Sequence, residues 1–181
     1  STDFSNWTSS VSATTLILPP ACGGTFSDPG GSSVNYANNL NSIVTICPIN
    51  PGDVVTVTFT SFNTQATADG LYIFNGNAIT SPLISSGNPA GTVPGGLAGA
   101  YWGTSNPGSF TSTSTDGCLT FRFRSGASVN AAGWTSNVTC APPPTCPKPQ
   151  SIVTTAITYN SVNLAWTETG SATAWQVLAV P

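Results

Sequence analysis

The 181-residue chain contains no histidine and no methionine, a single glutamate, and only three basic residues, Arg122, Arg124 and Lys148. Without imidazole it lacks the commonest general base and metal ligand, which removes Ser-His-Asp, Cys-His and His-metal chemistry. Paired carboxylates for glycoside hydrolysis would have to come from Asp28, Asp53, Asp69 and Asp116, since Glu168 stands far downstream. Each of those four lies beside Gly, Pro or other turn residues, where an aspartate ordinarily caps a turn. Three cations cannot grip a phosphate backbone, so nucleic acid is excluded as a partner. No apolar run approaches the roughly 20 residues that span a bilayer. The longest near the start, Leu16-Ile17-Leu18, stops at Pro19-Pro20. No leader-like segment opens the sequence, so export would imply a leader already removed. Phosphate-loop and dinucleotide fingerprints are missing as well.

Charge is scarce overall: 5% of residues, with a net charge of -3, against about a quarter in an ordinary soluble domain. Ser, Thr, Asn and Gly must therefore cover the surface. With five cysteines, that composition suits an exported β-protein, in which widely separated thiols form disulfides rather than a zinc site.

Strand signals recur between Cys22 and Cys140 with turn residues between them, the pattern of an all-β sandwich or barrel. Ser42 to Cys47 is short and β-branched. After the turn Asn50-Pro51-Gly52-Asp53, residues Val55, Val57 and Phe59 alternate with Val54, Thr56 and Thr58. Leu71 to Phe74 closes in Asn75-Gly76. Cys118 to Phe123 alternates Leu119, Phe121 and Phe123 with polar residues, and its expected hairpin partner is Trp134 to Cys140. No segment has a helical period. Residues 85 to 116 form a long Gly/Pro/Ser/Thr-rich stretch anchored only by Tyr101, Trp102 and Phe110, a length of loop that is usually functional or mobile.

Taken in order, Cys22-Gly-Gly-Thr-Phe, Gly30-Gly31 with Tyr36, Cys47-Pro48 with Pro51-Gly52-Asp53, Val57-Thr58-Phe59 with Phe62, Asp69 to Gly76, Phe121-Arg-Phe-Arg-Ser125 and Gly133-Trp134 resemble a CUB domain. The spacing is similar to that of the CUB variety in secreted proteins of Bacteroidota. The resemblance covers about two thirds of the chain. It implies a jelly-roll sandwich of antiparallel strands that binds proteins or glycans without catalysis. Calcium-binding members carry a Glu and two Asp; here Gln65, Asp69 and Gly126 (after Ser125) stand at those places. Asp69, with Gln65 and Ser125 nearby, is thus a weak calcium candidate, and no other cofactor is implied. One carboxylate with amide and backbone oxygens makes a poor site for an ion that takes six to eight oxygens.

Further on, Cys146-Pro-Lys-Pro, Ser161-Val-Asn-Leu-Ala-Trp166 and Ala174-Trp175-Gln-Val177 resemble the first strands of a fibronectin type III domain. Such a sandwich takes about 100 residues, so the chain is expected to be part of something longer. The expected organisation is a lead-in segment or the end of a preceding module over 1–21, which would equally serve as an added edge strand, a CUB-like sandwich over 22–140, a proline-rich linker over 141–145, and a partial fibronectin type III-like domain over 146–181.

Five cysteines allow fifteen arrangements of two bridges and one thiol. The CUB resemblance suggests Cys22 with Cys47. Cys118 with Cys140 would join the ends of the last hairpin, although Cys118 lies off the Leu119, Phe121, Phe123 face, so that the pair needs a bulge to meet. Cys146 is left for a cysteine downstream.

The expected function is that of a non-catalytic module in a large secreted or cell-surface adhesin of the kind exported by type IX secretion for attachment and gliding. Its partners would be an extracellular protein or glycan surface, with the secretion or motility machinery as a further one. Tyr36, Tyr72 and above all Tyr101 and Trp102 are candidate ligand-stacking residues, each with packing in the core as the alternative. The alternative functions are an accessory substrate- or cell-binding domain of a secreted hydrolase, or a structural subunit of an extracellular fibre.

Overall fold

A computed structural model describes residues 19–143, 149–168 and 173–177. Most of the lead-in segment, the end of the expected linker, Cys146 and Lys148 lie outside the described residues. Ten strands and no helix are present among those described: β1 (Thr25–Ser27), β2 (Asn41–Ile46), β3 (Val54–Asn63), β4 (Gly70–Asn75), β5 (Leu83–Ile84), β6 (Ser109–Thr111), β7 (Leu119–Arg124), β8 (Gly133–Ala141), β9 (Gln150–Thr155) and β10 (Asn163–Thr167). The first eight form two antiparallel four-stranded sheets, ordered β1-β8-β3-β6 and β2-β7-β4-β5, while β9 and β10 pair as a separate antiparallel two-stranded sheet.

Alternation explains the layers. In β3, Val55, Val57 and Phe59 point inward, and the register then shifts between Phe59 and Ser61. The inserted Thr60 stays outside, with its hydroxyl donating to the Thr135 carbonyl at 3.0 Å, and Phe62 returns to the core. This bulge lets one strand run ten residues without turning its apolar side to water. From the facing sheet come Ile46, Leu71, Ile73, Leu119, Phe121 and Phe123. Trp134 stands at the centre, its ring 5.0 Å from Phe123, 5.6 Å from Phe26 and 6.4 Å from Phe62. A second, smaller cluster of Tyr72, Phe74, Val93 and Ala100 forms where the long 85–116 stretch folds back over β4.

Two expectations fail here, the hairpin and the disulfide pairing. The segments β7 and β8 are not a hairpin: β7 lies between β2 and β4, and β8 lies between β1 and β3. The connection between them crosses from one sheet to the other. The bridges follow that topology and are Cys22–Cys140 and Cys47–Cys118, not Cys22–Cys47 and Cys118–Cys140. Ile46 pairs with Leu119, which brings the flanking Cys47 and Cys118 together. Gly23 and Gly24 exchange backbone hydrogen bonds with Val138, which brings Cys22 to Cys140. The parity obstacle to Cys118–Cys140 thereby disappears, because each cysteine meets a neighbour in its own sheet.

The β9/β10 sheet and its connecting loop keep many apolar side chains in water: Ile152, Val153 and Leu164 on the strands and Ile157, Tyr159 and Val162 between them are exposed. Trp166 meets Trp175 edge-on at 5.6 Å, and Trp175 Nε1 donates to Glu168 at 2.9 Å.

Candidate functional site

Gln65, Asp69 and Ser125, separated by up to 60 residues, converge at one corner of the sandwich. Asp69 ends the turn between β3 and β4 and is fully buried. Its Oδ2 accepts the Tyr36 hydroxyl at 2.6 Å and its Oδ1 accepts the Gly126 amide at 2.7 Å. Tyr36 in turn accepts the Gln65 amide at 3.1 Å. Burial, with the hydrogen bond to Asp69 second, pushes the Tyr36 phenol far above the ordinary tyrosine range. With its side-chain nitrogen turned to the loop, Gln65 donates to the carbonyls of Ser128 at 2.9 Å and Val129 at 3.3 Å. The Ser125 hydroxyl donates to the Ala37 carbonyl and accepts the Leu40 amide, both at 2.8 Å.

This donor set does not fit calcium. Both oxygens of the one carboxylate face hydrogen-bond donors, Gln65 presents N–H groups to the nearby carbonyls, and Ser125 is committed to backbone. Among the described residues no three His, Cys, Asp or Glu side chains are grouped to hold a metal.

The aromatic candidates separate. Tyr36 and Tyr72 are buried, and neither is available to stack on a ligand. Tyr36 fills the end of the core against Phe123, and Tyr72 donates its hydroxyl to the Leu97 carbonyl at 2.8 Å beneath the long loop. Tyr101 and Trp102 are neighbours on an extended segment and face opposite ways. Tyr101 bridges Leu71 through two backbone hydrogen bonds and sets its ring edge-on to Phe110 at 5.3 Å, at the border of the main core. Trp102 lies half-buried on the outer cluster with Val93 and Ala100. The structure therefore gives these two residues no common binding face.

One feature without a sequence signal beyond its Asp-Pro-Gly-Gly turn is the bracket made by Asp28. Its carboxylate accepts the amides of Gly30 at 2.8 Å and Trp134 at 3.2 Å, tying the end of β1 to the start of β8. Gly133 is required beside it, because its φ is +69° and a Cβ there would overlap the carboxylate. The bracket borders a cavity of about 440 Å³ between the free edges of β1 and β2, walled by Phe26, Ile43, Phe121 and Trp134. Burial, opposed by those two amides, raises the Asp28 pKa above its ordinary value of 3.8. A raised folded-state pKa contributes stability that is full below the unfolded value and is lost as pH rises through the folded one. An NMR titration of the Asp28 carboxyl carbon should thus show a midpoint above the ordinary aspartate range. Unfolding free energy should rise through that midpoint on acidification, relative to Asp28→Asn. A midpoint at or below the ordinary range would refute this.

No protein-family model matches the chain, and no curated protein matches it. Among solved structures, the full extracellular region of zebrafish Gpr126/Adgrg6 aligns over 70% of this chain at 16% identity and a TM-score of 0.50. The likeness is one of fold. The alignment spans 15% of the length of that region. The MASP-1 CUB2 domain bound to Ca2+ aligns over 67% of the chain and 95% of its own length, at 19% identity and a TM-score of 0.45. The CUB1-EGF-CUB2 domain of human MASP-1/3 aligns over 68% of the chain and 43% of its own length, at 17% identity and a TM-score of 0.46.

Proposed function

We propose that this chain is a non-catalytic binding module of a secreted or cell-surface adhesin, a CUB-like sandwich over 22–140 followed by the start of a fibronectin type III-like domain over 146–181. The observation that carries the reading is where the carboxylates of the sandwich go. Asp28 holds Gly30 and Trp134, and Asp69 holds Tyr36 and Gly126. Asp116 accepts the amides of Asn77 and Cys118, and Asp53 accepts the Asn50 side chain. All four carboxylates are thus engaged by hydrogen-bond donors of the surrounding turns and strands, as structural fasteners are. Two disulfides closing an almost uncharged sheet core support an oxidising, extracellular setting. Attachment to a protein or glycan surface is the activity such a module serves, and export through type IX secretion with a part in gliding is the narrower form of the proposal.

Trp102 is the contact residue we favour, since of the two aromatic candidates on the outer cluster Tyr72 is fully buried and Trp102 is only half-buried. Beads coated with the oxidised chain should adhere to cell-surface glycan or protein layers and should release no product from glycan or peptide substrates. Trp102→Ala should cut bead retention about tenfold or more, the scale of a buried aromatic anchor. Tyr101→Ala should chiefly lower the melting temperature. Turnover of any such substrate would sink the non-catalytic reading, and undiminished retention by Trp102→Ala would move the contact elsewhere.

A further inference from the structure

The corner built by Asp69 and Gln65 supports an inference that does not depend on what the module binds. The loop after β7 is held from two sides. On one, the Asn39 amide donates to the Gly126 carbonyl at 2.8 Å and the Tyr36 amide to the Ala131 carbonyl at 3.3 Å. On the other, the Asp69 carboxylate takes the Gly126 amide, and the Gln65 side-chain nitrogen reaches the carbonyls of Ser128 and Val129. Val129 sits at φ +61°, a left-handed conformation rare for a β-branched residue, so its carbonyl is held in place by its surroundings rather than by its own preference.

Convergent carbonyl oxygens beside a buried carboxylate are what a hard cation collects. Here two N–H bonds of Gln65 meet those carbonyls, and two further donors, Tyr36 Oη and Gly126 N, neutralise the carboxylate by hydrogen bonding. We propose that Gln65 does at this corner the work of a cation: the loop over 126–131 takes its shape without calcium, and the single change Gln65→Glu makes that shape calcium-dependent. A glutamate has the same reach but offers only acceptors at neutral pH. It would face the Ser128 and Val129 carbonyls and add a second negative charge to a corner that already holds Asp69. A divalent cation would relieve both conflicts.

The test compares thermal unfolding of the full oxidised chain in EDTA and in millimolar calcium chloride, with amide NMR of Gly126, Ser128 and Val129. The wild-type melting temperature and those three resonances should be the same in both buffers. Gln65→Ala should melt about 3–8 °C lower in both, as expected for two lost hydrogen bonds in a domain of this size. Gln65→Glu should melt lower in EDTA and regain at least half of the loss in calcium. A wild-type melting temperature or loop resonance that moves with calcium, and reverts in Asp69→Asn, overturns the proposal. So does a Gln65→Glu chain whose stability ignores calcium. If Gln65→Glu fails to fold in EDTA, refolding it with and without calcium decides the matter: recovery of the fold in calcium alone supports the proposal, and failure in both buffers overturns it.

Discussion

Replacing Cys22 and Cys140 together by serine should lower the unfolding free energy by about 3–5 kcal/mol, more than almost any single side chain outside the core. The bridge closes 118 residues, and closing a loop of that order restricts the unfolded chain by an entropy worth about 4.7 kcal/mol. Since a domain of this kind has only about 5–15 kcal/mol in total, the double variant should sit near the edge of folding at body temperature. Cys47–Cys118 closes 71 residues and should contribute slightly less, because the entropy grows only with the logarithm of loop length. Denaturant titration of the two double-serine variants measures both, and non-reducing peptide mapping checks the connectivity. A cross-linked peptide pair containing Cys22 and Cys47 would refute the topology on which the expected loss rests.

Trp134→Ala should cost about 3–5 kcal/mol, the range for removing a large aromatic from a packed interior. The residue belongs to the sheet ordered β1-β8-β3-β6, but its ring meets Phe123 of the opposing sheet as well as Phe26 and Phe62 of its own. It therefore makes contacts between the layers as well as within its own. The lost volume would also open into the cavity at the β1/β2 edge, which Trp134 already lines. Its Nε1 is buried with no hydrogen-bond partner among the described residues. Trp134→Phe should accordingly be much milder, because it gives up part of the ring while removing an unsatisfied donor. Equal losses in the two variants, measured by chemical denaturation, would mean that the indole nitrogen matters and that packing between the layers does not set the cost.

The strands are readable where one face is buried and the other wet. Val55, Val57 and Phe59, or Leu119, Phe121 and Phe123, announce themselves by a period of two, and the structure places them inward. What the period cannot convey is which strand lies next to which. Residues 118–123 and 134–140 suit a hairpin by their closeness in sequence, but a sandwich can send successive strands to different sheets, and periodicity is the same in either case. The expected Cys118–Cys140 bridge falls with the hairpin, and Cys22–Cys47, expected from the family resemblance, falls because both partners are taken by cysteines of neighbouring strands. The bulge at Thr60 is hidden for a similar reason, since an inserted residue only registers against a partner strand.

At the candidate site, motif order brings Gln65, Asp69 and Ser125 into one frame. Their chemistry stays illegible, because it depends on which backbone groups the loop over 126–131 presents to them, and nothing local to Gln65 foretells the carbonyls of Ser128 and Val129. Aromatic residues are ambiguous by nature. Tyr36 lies in a loop, where no alternation distinguishes inside from outside, and its burial is set by a hydrogen bond to Asp69, 33 residues away. Tyr72 lies on the outward face of β4, which would be wet had the long loop not covered it.

The Cys22–Cys140 bridge also decides how the sandwich behaves under tension. It joins a residue just before β1 to one in β8, so a pull transmitted from residues before Cys22 to residues after Cys140 passes through one covalent link and bypasses both sheets. The 118 residues between them hold about 400 Å of extended contour length, none of which can be released while the sulfurs stay joined. Oxidised, the sandwich behaves as a nearly inextensible link; reduced, the same load falls on the Gly23 and Gly24 hydrogen bonds to Val138 and on the three residue pairs of the short β1 strand with β8.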